Sequence, residues 1–332
     1  MGEFDLIRRF FTRPTPKAVL GVGDDCALLQ SAPGMQMAIS TDMLVGGRHF
    51  FADAEPQALG HKCLAVNLSD LAACGARPLA FTLALALPEA NEAWLAPFAQ
   101  GLLALADAHG CELIGGDTTR GPLNICITVF GEVPVVSGRS QALLRSGAQA
   151  GDHLYVSGTL GDARLALDAL LGKVALPADV LEMARARLEM PTPRVALGLA
   201  LRGVASAAID ISDGLLGDLG HVLECSGAGA TVAADTATKL VAASAYGIRA
   251  GGQFGLKFSQ QQWRALALAG GDDYELLFTA PPQQRAAVLA AAQSSQTPVT
   301  QIGQIDAEPG LRLLDGQGQP LPNSYAAFDH FA

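Results

Sequence analysis

Positive charge is in short supply in this chain. Lys and Arg number 22 against 32 Asp and Glu, and only 16% of the 332 residues are charged at all. Nucleic acid is held by clustered Lys and Arg that displace counterions, so this balance argues against it. Phosphate substrates stay open, because acidic sites bind phosphate through metal ions. None of the six cysteines forms a C-x-x-C pair or a zinc-ligand spacing with histidine, which predicts buried free thiols in a reducing compartment. No uncharged apolar run approaches the roughly 18 residues of a spanning helix. The N-terminal MGEFDLIRRFF lacks the basic-then-apolar order of a secretion signal. The expectation is a soluble, cytoplasmic protein. Also missing are the G-x-x-x-x-G-K-[ST] loop, the H-R-D set of protein kinases and the G-x-S-x-G nucleophile elbow.

What is present is apolar and periodic. Half the residues are hydrophobic, ample for a sizeable core, and the length suggests two domains or one large one. In the first half, strands are expected at Met37–Thr41, Phe81–Leu87, Cys111–Ile114 and Asn124–Val133. Helices are expected at His61–Cys74, closed by Gly75, and at Glu92–His109, ending at Gly110. A segment rich in Gly, Ser and Arg, Gly138–Gly151, marks a domain boundary. The second half restarts with a strand at His153–Ser157 and a helix from about Asp162. Further strands are expected at Val204–Ile211, Tyr274–Thr279 and Leu311–Leu314, with a helix through Glu224. The reading is two α+β halves, residues 1–137 and 138–332.

The acidic residues sit in a pattern. Asp24 and Asp25 follow Gly21-Val22-Gly23, Asp42 ends the strand Ala-Ile-Ser-Thr, and Asp117 follows Gly115-Gly116. Asp210 and Asp213 bracket Ile211-Ser212, and Asp272 and Asp273 follow Gly270-Gly271. A single Asp beside Gly is ordinary turn and cap chemistry; its recurrence at the ends of apolar segments points further. Asp70 lies in an almost wholly apolar helix, three residues after Asn67 and on the same face. A carboxylate there is costly unless paired or bound to metal. Carboxylates converging without matching cations suggest Mg²⁺, and Mg²⁺ with glycine-exposed amides suggests phosphoryl transfer.

Seven blocks then carry a resemblance, in order and over nearly the whole chain. They are GVGDDCALL from Gly21, AISTDMLVGGRHF from Ala38, AVNLSDLAACGARP from Ala65, LIGGDTTRGP from Leu113, AIDISDGLLGDLGH from Ala208, GGDDYEL from Gly270 and FDHF from Phe328. Together they resemble the thiamine-monophosphate kinase family. The resemblance implies the two-domain α/β fold of the aminoimidazole-ribonucleotide-synthetase superfamily, with N-terminal sheets of two subunits joined in a barrel across a homodimer. It implies transfer of the ATP γ-phosphoryl to thiamine phosphate, giving thiamine diphosphate. The first domain would bind ATP and magnesium and dimerise; the second would complete the site.

By the same resemblance, several Mg²⁺ ions would be held by Asp25, Ser40, Thr41, Asp42, Asp70, Asp117, Asp210 and Asp213. Gly116, Asp117, Arg145 and Ser212 would contact ATP, and His49, Asp272 and Phe328 the thiamine side. Two positions depart from the family pattern: Asp272 stands where glutamate is frequent, and His109 where a tyrosine often meets the nucleotide. No protein nucleophile is expected, since the acceptor phosphate is already ionised. A selenophosphate synthetase would show a reactive cysteine and nearby lysine in a glycine-rich N-terminus, and a hydrogenase-maturation dehydratase a C-terminal cysteine. Neither is here. Aminoimidazole ribonucleotide synthetase is disfavoured by S-D-L-A-A and F-D-H-F. A non-catalytic sensor is disfavoured by the intact aspartate set.

Overall fold

The computed structural model describes residues 2–244 and 258–325. It divides into two compact units: Met1–Leu71 with Ala76–Ala142, and Ala72–Gly75 with Leu143–Ala332.

The first unit is a sheet packed on helices. Strands β1 (Met35–Val45), β2 (Arg77–Leu87), β3 (Glu112–Arg120) and β4 (Asn124–Val136) lie in the order β1-β4-β2-β3, and the two-residue β5 (Arg139–Ser140) pairs with β4. After the short N-terminal helix α1 (Glu3–Leu6) come the two long helices, α2 (Pro56–Ala73) and α3 (Glu92–His109). From Phe81 onward β2 alternates: Phe81, Leu83, Leu85 and Leu87 are buried, while Thr82, Ala84 and Ala86 are not. α2 is buried nearly all round, which is why its sequence carries almost no polar stripe. α2 and α3 cross at glycines: a methyl on Gly101 would sit 1.9 Å from the Gln57 carbonyl oxygen, and one on Gly60 2.1 Å from that of Phe98. α3 starts at Asn91, whose side chain accepts the Ala93 amide, and stops at Gly110 in the left-handed conformation.

The second unit holds a seven-stranded sheet. Its strands are β6 (His153–Ser157), β7 (Ala207–Asp210), β8 (Gly229–Ala233), β9 (Leu276–Ala280), β10 (Val299–Asp306), β11 (Gly310–Leu314) and β12 (Pro320–Leu321). They run in the order β12-β11-β8-β10-β6-β9-β7. All pairings are antiparallel except β8 with β11. Its main core gathers Leu154, Val156, Ile209, Val232 and Ile302 with Leu219 and Val222 of α7 (Leu215–Ser226). The helices before α7 are α4 (Asp162–Leu170), α5 (Ala178–Glu189) and α6 (Val195–Ala200).

Element ends differ from the sequence expectation where local backbone decides. The strand expected from Val204 starts only at Ala207, because the amides of Val204 and Ala205 close a turn on the Leu201 carbonyl. The strand expected from Tyr274 starts at Leu276, because Tyr274 has φ 49°, which no strand accommodates.

Candidate active site

In the first unit, two periodicities meet. Ser40 and Asp42, two apart on β1, share one face of the sheet. Asn67 and Asp70, three apart on α2, share one face of the helix. The Ser40 hydroxyl donates to Asp70 Oδ2 at 2.5 Å, and the Asp42 amide donates to Asn67 Oδ1 at 3.1 Å. Asn67 is itself fully buried and spends its Nδ2 on the Cys63 carbonyl at 2.9 Å, so its oxygen is aimed at β1. Strand and helix thereby lock Asp42 and Asp70 in place. Thr41 faces the other way, and its hydroxyl meets that of Thr128 on β4 at 2.9 Å.

The remaining first-unit residues are spread out. Asp25 is exposed in the loop between the bridged Leu20 and Leu28, and its amide donates to Asp24 Oδ1 at 2.8 Å. Asp117 is exposed on β3, opposite Ala84, at the far edge of the strand path from β1. Beside it Gly116 has φ 147° and lies so close to β2 that a methyl would meet the Leu83 carbonyl oxygen at 1.9 Å, so no side chain fits. His49 closes the turn after β1. Its Nδ1 accepts the Val45 amide at 3.0 Å, so a neutral ring carries its proton on Nε2. His109, at the end of α3, is held below the usual histidine range by burial and by His61.

In the second unit, the register Asp210↔Leu276 brings the end of β7 beside the start of β9. The loops Ile211–Gly214 and Gly270–Glu275 therefore lie against each other. The Asp272 amide donates to the Ser212 carbonyl at 2.8 Å, the Tyr274 amide to the Ile211 carbonyl at 2.8 Å, and the Ile211 amide to the Glu275 carbonyl at 2.8 Å. The Tyr274 hydroxyl donates to Asp272 Oδ1 at 3.1 Å. Asp210 is buried, Asp213 half-buried, and Arg145 exposed, its carbonyl accepting from the Ser226 hydroxyl.

Four carboxylates were not assigned to the site by the sequence reading, and the first three hold these loops. Asp218 Oδ2 accepts the amides of Ser212, Asp213 and Gly214 at 3.0, 3.1 and 3.2 Å. Burial and the charge of Asp213 push Asp218 up to about 7. Both oxygens of Asp273 accept the Gly161 amide, and burial raises this group well above the carboxylate range. Glu275 has no exposed surface and accepts from Ser157, Arg187 and Arg194, the last at 2.5 and 2.6 Å. Asp162 accepts the amides of Ala242 and Ala243, and burial raises it.

The amides of Ser212, Asp213 and Gly214 are thus taken up by Asp218. Among the described residues, no three His, Cys, Asp or Glu side chains gather as a metal cluster. Phe328 lies outside the described residues. No helix among the described residues is long and apolar enough to cross a membrane.

Known proteins match this arrangement along its length. Residues 23–133 match the AIR synthase related protein N-terminal domain and residues 149–316 its C-terminal domain. Thiamine-monophosphate kinase of Salmonella typhimurium is 44% identical over 337 residues, covering all of this chain and 98% of the relative. The Escherichia coli enzyme of that name is 43% identical, with the same coverage. The crystal structure of thiamine-monophosphate kinase from Stenotrophomonas maltophilia is 44% identical with a TM-score of 0.80, covering 96% of each chain. A structure of AaThiL complexed with AMPPCP and TMP is 27% identical with a TM-score of 0.74, covering 91% of this chain and 89% of that one. Hydrogenase maturation protein HypE in complex with ATP, 20% identical with a TM-score of 0.73, shares the fold.

Proposed function

From the premise that this chain belongs to the thiamine-monophosphate kinase family, we propose that it transfers the γ-phosphoryl of ATP directly onto the phosphate of thiamine phosphate. Support comes from full-length identity of 44% to a kinase of that name, and from a relative that binds AMPPCP and TMP together. The geometry that carries the chemical reading is the pairing of Ser40 and Asp42 with Asp70 and Asn67.

In the transfer, a phosphate oxygen of the acceptor attacks the γ-phosphorus in line. A new P–O bond forms as the bond to the bridging oxygen of the leaving ADP breaks. The acceptor oxygen is ionised at neutral pH, so no side chain need take its proton. The task left to the protein is to align two anions and offset their repulsion. Ser212 and Arg145, with Gly116 and Asp117, would hold the nucleotide, Arg145 through a planar fork suited to phosphate. His49 would offer its Nε2–H to the acceptor, and Asp272 its carboxylate to the cationic thiazolium. Magnesium, which the family implies, fits the donor set, since carboxylate and hydroxyl oxygens are its preferred ligands. Asp25, Ser40, Asp42, Asp70, Asp117, Asp210 and Asp213 would hold several such ions, which when bound would offset the phosphate charge; the Thr41 hydroxyl, expected in this set, is turned to Thr128 on the other face of the sheet and is left out.

A second copy of the chain would cover the outer face of the first unit's sheet. Ile39 and Met43, alternate residues of β1, are 62% and 54% exposed there, and Thr41, Thr82 and Thr128 share that face. A two-chain barrel is the arrangement that would bury it.

The test is turnover. With Mg²⁺, ADP should be released from ATP only when thiamine phosphate is added, and thiamine diphosphate should appear in equal amount. Free thiamine should be a poor acceptor. Equal rates with thiamine and its monophosphate would overturn the proposal.

A further inference from the structure

Asp218 sits one helical turn inside α7 and reaches back to the loop that precedes it. A single oxygen, Oδ2, takes three consecutive amides, those of Ser212, Asp213 and Gly214. Amides at a helix start are ordinarily open to an anion. Here a carboxylate of the helix itself occupies them, so their work is to fix the loop.

The fixing extends beyond the loop. Ser212 has its amide on Asp218, and its carbonyl accepts the amide of Asp272. Asp272 has φ 64° and Tyr274 φ 49°, left-handed values that a non-glycine residue holds only when its surroundings impose them. The imposing contacts are the two bonds from the Asp272 and Tyr274 amides to the carbonyls of Ser212 and Ile211. The Tyr274 hydroxyl then orients the Asp272 carboxylate from the far side.

We infer that Asp218 is a positioning residue for both substrates, acting through the two polar ends of Ser212 on the nucleotide-side hydroxyl and on the acceptor-side carboxylate of Asp272. This rests on the reading that Ser212 contacts ATP and Asp272 the thiamine side. Asp218 itself touches neither substrate.

The experiment compares steady-state kinetics of Asp218→Asn, Asp218→Glu, Ser212→Ala and Asp272→Ala with wild type, each with a melting curve. Asp218→Asn keeps the shape and removes the charge. It should raise KM for ATP and for thiamine phosphate together, about tenfold each, with kcat changed less than threefold. Asp218→Glu, which keeps the charge but shifts it by a methylene, should move both constants the same way by about threefold. This variant carries the test if Asp218→Asn does not fold. Ser212→Ala should raise KM for ATP alone, and Asp272→Ala KM for thiamine phosphate alone. If those two variants leave their own constants unchanged, the contact reading fails. If they behave as expected while the Asp218 variants shift only one constant, or only kcat and the melting temperature, the inference is overturned and Asp218 is structural.

Discussion

Asp42 and Asp70 are each set by a neutral partner, the Asn67 oxygen on the Asp42 amide and the Ser40 hydroxyl on the Asp70 carboxylate. Replacing either with Asn keeps the shape and removes one negative ligand. Turnover should fall by about 10²–10³, the size typical of one preorganised electrostatic contact, with an unchanged circular dichroism spectrum. A variant with near-normal rate at limiting Mg²⁺ would remove that residue from the set. Asp162 makes a different prediction. Burial raises its folded value above that of the unfolded chain, despite two amides that favour the charged form. Its contribution to stability is therefore fully present below about pH 3.8 and is lost as pH rises through the raised value. Denaturant melts of Asp162→Asn should show a flatter stability profile above pH 4 than wild type; parallel profiles would contradict this. At this scale the sequence was legible for aspartates beside glycine and for Asp70 in its apolar helix. It was silent on Asp218 and Glu275 and gave Asp273 no role beyond its place after Gly270-Gly271, because the significance of all three comes from partners brought by the fold. Glu275 meets Arg194 across 81 positions, and no spacing rule reaches that far.

Among the elements, α2 and α3 show what close approach demands. Gly101→Ala would place a methyl 1.9 Å from a backbone oxygen, and backbone cannot rotate away as a side chain can. The helices would have to separate, and overpacking of this kind costs typically 1–3 kcal/mol or more. Equilibrium denaturation should show that loss, and a variant as stable as wild type would mean that the crossing is looser than described. α3 was readable to the residue because an Asn cap and a Gly stop bracket it. β10 was not. Its buried Ile302 and Ile305 are three apart, because the pairing with β6 shifts between Gln301 and Gly303. A bulge breaks the period of two by which a strand is recognised. The short β8, Gly-Ala-Thr-Val-Ala, offers too few apolar residues to stand out.

For the whole molecule, the mixed α and β character follows from alternating apolar segments; the two compact units divide between Ala142 and Leu143, with Ala72–Gly75 grouped in the second. Sheet order was not legible, since β1-β4-β2-β3 depends on which strands meet in space. The exposed outer face of that first sheet carries the last prediction. Sedimentation should show a dimer, and an active monomer stable at micromolar concentration would refute the two-chain barrel. If the face is covered only by association, the fold obeys mass action. Each tenfold dilution would then remove about 1.4 kcal/mol per mole of dimer from its stability. The melting temperature would become a property of how much protein is present, and a dilute sample would lose its structure at a temperature where a concentrated one keeps it.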